Sequence, residues 1–125
     1  MKLMIDDAVW GYKEIFSGFG EITTLPGRLI TRESLLDCEI LIVRSRTKVN
    51  KQLLDGTKVR YVCSTVAGLG HVDEDYLKEN AISFVSAQGS NANAVTEYVS
   101  SALSNLANDH SFDLSTKTLG IIGVG

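Results

Sequence analysis

Proline occurs once, at Pro26, and cysteine twice, at Cys38 and Cys63, in a chain of 125 residues. So little proline, with no low-complexity tract, argues against a disordered segment. The cysteines stand apart and match no metal-ligand or redox spacing. Each adjoins a strand-like run, which suits ordinary buried thiols in a reducing cytoplasm. No apolar run approaches the roughly 18 residues that a membrane span needs. The N-terminus turns acidic at Asp6 and Asp7 before a signal-peptide apolar region could form. Excess positive charge is missing too: twelve basic residues face fifteen acidic ones, for a net charge of -3. Nucleic-acid affinity rests on clustered Lys and Arg, so DNA and RNA are not expected partners.

Apolar residues make up 44% of the chain, enough for one domain with a real core. They fall into short runs that alternate with helical patterns. Residues 2–5 read as a strand closed by Asp6 and Asp7, which can cap a helix. In that helix Ala8, Tyr12, Ile15, Phe16 and Phe19 recur at helical spacing, and Gly18 and Gly20 end it. Residues 21–25 alternate like a strand and stop at the Pro26–Gly27 turn. Thr31 caps a short helix carrying Leu35 and Leu36. Residues 38–43, Cys-Glu-Ile-Leu-Ile-Val, are the most apolar run and read as a central strand buried on both faces. Asn50 opens a helix through Leu53 and Leu54 that Gly56 stops. Residues 59–64 and 82–86 read as strands flanking a helix over 73–79.

This alternation predicts an α/β fold, a parallel sheet with helices on both faces. A long helix over 92–108 follows, with Val95, Tyr98, Val99, Ala102, Leu103 and Leu106 on one stripe. After a polar loop, residues 118–125 read as the start of a sixth strand.

Four places could carry chemistry. Gly123-Val124-Gly125 opens the G-x-G-x-x-G pattern in which a strand-to-helix turn approaches a pyrophosphate; two glycines alone are also an ordinary turn. Arg44-Ser45-Arg46-Thr47-Lys48 follows the most apolar strand, where open α/β sheets bind ligands. Its cations and hydroxyls suit a phosphate or carboxylate, and a solvated basic turn is the plainer alternative. Thr65, Val66, Gly68 and Gly70 lie in the loop after the fourth strand, where glycines let amides point at an anion. Gln88-Gly89-Ser90-Asn91 precedes the long helix, whose start could also receive an anion.

Together these loops resemble the D-2-hydroxyacid dehydrogenase family. The similarity is to its members that oxidise 4-phospho-D-erythronate to the 2-oxo acid with NAD in pyridoxal phosphate biosynthesis. It is carried by Leu25-Pro26-Gly27-Arg28, by Val43-Arg44-Ser45 with Thr47-Lys48-Val49-Asn50, and by Ala67-Gly68 with His71-Val72-Asp73. Gly89-Ser90-Asn91 with Val95 and Glu97-Tyr98, and Gly120-Ile121-Ile122-Gly123-Val124-Gly125, extend it to the end of the chain. The resemblance implies a flavodoxin-like substrate-binding domain over residues 1–91. A linking helix and loop over 92–117 would follow, then the first strand of a truncated NAD-binding Rossmann domain over 118–125. It implies substrate contacts at Arg44, Ser45, Thr65, Val66 and Gly68, and places Asn91, Gly123 and Gly125 on the cofactor side. Three positions depart from the family pattern. Val66 stands where a threonine is usual, Gly70 where an aspartate is, and Gln88 where a proline is.

The family's catalytic arginine, acid and proton-donating histidine have no match here. His71 corresponds to a structural loop position and His110 lies in a polar connector. The expectation is therefore a truncated dehydrogenase, inactive alone and binding no NAD by itself. Its small phosphorylated hydroxy acid would be the parent enzyme's substrate, and it would form a homodimer through the apolar stripe and residues 119–124. A freestanding, non-catalytic flavodoxin-like module that binds anions is the competing reading. A phospho-acceptor receiver is rejected, because Arg44-Ser45 and Ala87-Gln88 stand where its aspartate and lysine belong. A flavin-binding protein would need a hydroxyl-rich loop after the first strand.

Overall fold

The structure, a computed structural model, describes residues 1–122. The chain divides into two compact units, Met1–Gly89 and Ser90–Gly125.

Five strands build the first unit: β1 (Lys2–Asp6), β2 (Glu21–Leu25), β3 (Ile40–Val43), β4 (Tyr61–Ser64) and β5 (Ser83–Ser86). They form one sheet in the order β2-β1-β3-β4-β5, and every neighbouring pair is parallel. Parallel neighbours need a crossover between them, and the short helices α1 (Tyr12–Phe16), α2 (Arg32–Leu35), α3 (Lys51–Leu54) and α4 (Glu74–Glu79) supply it. This strand order is the flavodoxin-like one, with its topological switch point between β1 and β3.

The period of two along each strand divides the core. Met4, Leu41, Val43 and Val62 pack with Leu35, Leu53, Leu54 and Leu77 from α2, α3 and α4. Leu3, Ile5 and Ile42 point the other way, onto Val9 with Tyr12 and Phe16 of α1. Leu41, Ile42 and Val43 are all essentially inaccessible, so β3 is buried on both faces as its composition predicts. Asn50 and Asp73 cap α3 and α4 by accepting from the Leu53 and Tyr76 amides at 3.1 and 3.0 Å.

Several expected boundaries shift for local reasons. The first helix does not start at Asp7. Asp6 instead accepts from the Ala8 amide in a turn, and Gly11 takes a left-handed conformation (φ 71°) that no helix interior accommodates. Only Tyr12–Phe16 is helical, and Ile15 and Phe19 of the expected stripe are exposed. β3 begins at Ile40, because the Cys38 amide closes a turn back onto the Leu35 carbonyl. β5 begins at Ser83, because the Ile82 amide still completes α4 at the Leu77 carbonyl. Cys38 is buried and Cys63 half-buried, both unpaired, and burial pushes each thiol's pKa up.

In the second unit α5 (Ala92–Asp109) is followed by a 3-10 turn at Leu114–Thr116, where the Asp113 carboxylate accepts from the Ser115 amide at 2.8 Å. Ala107 is buried and Ala102 and Leu103 half-buried, whereas Val95, Tyr98, Val99 and Leu106 are exposed. The sixth strand is not formed over residues 118–122, which join no ladder. A strand exists only through a paired neighbour, so apolar residues alone do not make one here. Gly123 and Gly125, the glycines read as a fingerprint, lie outside the described residues. Among the described residues no helix is long and apolar enough to cross a membrane.

Candidate functional site

Ligands of open parallel sheets bind beyond the carboxyl ends of the strands, where the connections diverge. Here that point lies between Asp6, ending β1, and Val43, ending β3. Arg44, the first residue past β3, spans it: a guanidinium nitrogen donates to the Ala8 carbonyl in the loop after β1, at 3.4 Å. Ser45 is exposed beside it.

The loops after β3 and β4 start side by side and rejoin. Val43 pairs with Ser64 in the last rung of the ladder, and the Thr65 amide donates to the Val43 carbonyl at 2.9 Å. Further out Val49 and Val72 form a parallel bridge, with the Val49 amide donating to the His71 carbonyl and the Asp73 amide to the Val49 carbonyl, each at 2.8 Å. Residues 44–48 and 65–71 are thus tied at both ends and form a rim beyond the carboxyl edge of the sheet. Gly68 and Gly70 sit on that rim. Neither needs a positive φ, and a Cβ on either would meet no atom within 4 Å. Conformation and packing therefore do not demand glycine there, and the space in front of both is open.

The rim's remaining groups are partly committed. The Thr65 hydroxyl donates inward to the Val43 carbonyl at 3.3 Å, leaving its lone pairs for a ligand. Val66 is half-buried and adds no polar group. The Ser64 hydroxyl lies 3.2 Å from His71 Nε2, and burial holds the His71 imidazole below its ordinary pKa. His71 therefore fastens the loop. His110 is the residue that ends α5. Asn91 opens α5, exposed and with no capping bond from its side chain, in the second unit.

The Arg-Ser-Arg-Thr-Lys stretch does not act as one cluster. Thr47 is 3% exposed and its hydroxyl donates to the Gly27 carbonyl at 2.8 Å, so it is a fastening and not a ligand group. Arg46 and Lys48 line a separate cleft with Arg28 and Arg32. Reading the sequence missed Arg28 and Arg32, because Pro26-Gly27-Arg28 looks like a plain turn. Strand order supplies the missing link: β2 and β3 flank β1, so the loops that follow them meet.

An open, all-parallel α/β sheet in this strand order defines a domain of the doubly wound class. The family model for the D-isomer specific 2-hydroxyacid dehydrogenase catalytic domain matches residues 13–119. The chain belongs to that family. It is 53% identical over 125 residues to an erythronate-4-phosphate dehydrogenase of Ruthia magnifica subsp. Calyptogena magnifica, covering all of this chain and 36% of the relative. It is 58% identical over 123 residues to the same enzyme of Hydrogenovibrio crunogenus, covering 98% and 33%. The chain thus spans about a third of the length of the curated relatives it matches. Among solved structures it is similar to a 3-phosphoglycerate dehydrogenase of Entamoeba histolytica with bound NAD+. The identity is 25% and the TM-score 0.64, over 78% of this chain and 36% of that one. An acyclic imino acid reductase in complex with NADPH and D-Arg shares the fold at 15% identity and a TM-score of 0.68, over 90% and 42%.

Proposed function

We propose that this chain is the substrate-binding part of an NAD-dependent dehydrogenase that oxidises 4-phospho-D-erythronate to its 2-oxo acid. One observation carries the reading: identity of 53% and 58% to erythronate-4-phosphate dehydrogenases, along essentially the whole chain. The rim supports it. The Arg44 guanidinium, the Ser45 hydroxyl and the amides around Gly68 are donors suited to a hydroxy-acid carboxylate. Val66 contributes shape alone, and Thr65 an acceptor.

In this reading Ser90–Gly125 is the link toward a nucleotide-binding domain, with Asn91 on the cofactor side and Gly123 and Gly125 beginning its fingerprint. NAD would supply the hydride acceptor, and the residues of this chain orient the acid and shield it from water. The protein works in the cytoplasm, as its two unpaired thiols suit. The 125 residues by themselves bind the acid and do not turn it over.

Backbone amide NMR with 4-phospho-D-erythronate tests the reading. Residues 44–45 and 65–70 should shift at millimolar ligand, and Ser45→Ala should weaken binding about tenfold, the worth of one charge-assisted hydrogen bond. Shifts confined to other surfaces would refute it, and so would NADH production by the purified chain.

A further inference from the structure

The loops after β2 and β3 leave a cleft of about 640 Å³ beside the end of β1. We propose that this cleft is a phosphate-binding site, separate from the rim around Ser45 and Gly68, which takes the phosphate group of a small molecule.

Charge is the first argument. The chain carries a net charge of -3, yet this one cleft gathers Arg28, Arg32, Arg46 and Lys48 against a single carboxylate, Glu33. Four cations held together repel one another, and an anion placed among them relieves that repulsion. Among the described residues no ion pair does so. The ion pairs found among the described residues, Lys58–Asp37 and Arg60–Glu39, use none of the four. Glu33 is held mainly by a backbone amide and the Thr31 hydroxyl, with a smaller pull from Arg32, which together keep its carboxyl below the usual carboxylate range.

The site is also built, not merely charged. Buried Thr47 ties the loop after β3 to Gly27 of the loop after β2, and so fixes Arg46 and Lys48 on either side of itself. Arg32 Nε donates to the Asp55 carbonyl at 2.6 Å, and its guanidinium lies against Gly56 at the end of α3. Asn50 uses its side-chain oxygen as the α3 cap, which leaves its NH2 to donate. Guanidinium forks and an ammonium suit a phosphate dianion better than a monoanionic carboxylate. The volume lies within the roughly 300–1,000 Å³ of small-molecule sites.

The phosphate could be one end of an acid seated on the rim, or belong to a second, free phosphorylated molecule. Both present the same chemistry, and the test separates them. The 125-residue chain is titrated with inorganic phosphate by backbone amide NMR, beside sodium chloride at matched ionic strength. Phosphate should shift the amides of Gly27, Arg46, Lys48 and Asn50. The Arg46→Ala/Lys48→Ala double variant should weaken that binding roughly tenfold or more. Both mutated side chains are exposed, so the variant keeps its fold, and Ser45→Ala should leave phosphate binding unchanged. With 4-phospho-D-erythronate, rim and cleft amides that titrate together identify one substrate spanning both. Separate titrations identify a second ligand. No cleft shift with phosphate, an equal shift with chloride, or no loss in the double variant overturns the proposal. The rim's response to the acid is read separately, so failure here leaves the proposed activity standing.

Discussion

The Ser64 hydroxyl and His71 Nε2 stand 3.2 Å apart and close the rim loop at its base. Ser64 ends β4 and is buried, whereas residues 65–70 between the pair are largely exposed. The Ser64–His71 contact, the Thr65 bonds to the Val43 carbonyl and the Val49–Val72 bridge therefore hold a loop with little packing of its own. Burial keeps His71 below its ordinary value of 6.5, so the folded chain binds a proton there less readily than the unfolded chain does. Stability from this group is fully present above 6.5 and is lost as pH falls through the lower folded value. Urea unfolding across that window should show a midpoint that falls with pH, and His71→Gln should flatten the dependence. His71→Ala should cost about 1 kcal/mol through the lost hydrogen bond. An unchanged pH slope in His71→Gln would place the titration elsewhere.

Gly27 is demanded by crowding. A Cβ there would overlap the Asp6 carboxylate and approach Thr47 Oγ1 to 3.0 Å. Both neighbours are at most 3% exposed. Gly27→Ala should therefore destabilise the chain by roughly 1–3 kcal/mol, the ordinary range for overpacking. Thr47→Ser keeps the hydroxyl and should be tolerated far better. Thermal unfolding of both variants checks this, and equal melting temperatures would show that the loop relaxes freely.

Much of this architecture was legible because its signals are local. The apolar run ending at Val43 became the central strand, and Asn50 and Asp73 became caps, since each depends on a few adjacent residues. The first helix was misread because its apolar spacing ignores Gly11, whose left-handed backbone confines the helix to five residues. Arg44, Ser45 and Gly68 could be named from their motifs, and the loops that carry them leave β3 and β4 side by side. That Thr47 faces inward while Arg46 and Lys48 join Arg28 and Arg32 could not be read. It follows from strand order, which puts the loops after β2 and β3 on either side of β1.

Leu77 tests how far the core depends on its short helices. It is 1% exposed and anchors α4, whose six residues could not remain helical alone. Leu77→Ala should cost about 2–4 kcal/mol, as for other buried leucine truncations. Hydrogen exchange should quicken along residues 74–86, since the Ile82 amide bonds to the Leu77 carbonyl and β5 follows at once. Uniform quickening across the sheet would mean that α4 is not a separate unit of stability.

The exposed stripe of α5 leads to a last expectation, that two copies of the chain associate. Val95, Tyr98, Val99 and Leu106 lie 43–76% exposed along an 18-residue helix. At ~1.5 Å per residue this places apolar side chains over much of a 27 Å rod. A contiguous apolar face of that kind marks an association surface more often than a free one. A second copy offers a matching face by symmetry, since a two-fold contact sets the same patch against itself. Sedimentation should give a dimer at micromolar concentration. Tyr98→Glu should shift it to monomer, and because Tyr98 is 76% exposed, the helix itself should survive, as circular dichroism would verify. A wild-type chain that stays monomeric at high micromolar concentration would reject the dimer, and so would a Tyr98→Glu chain that still dimerises.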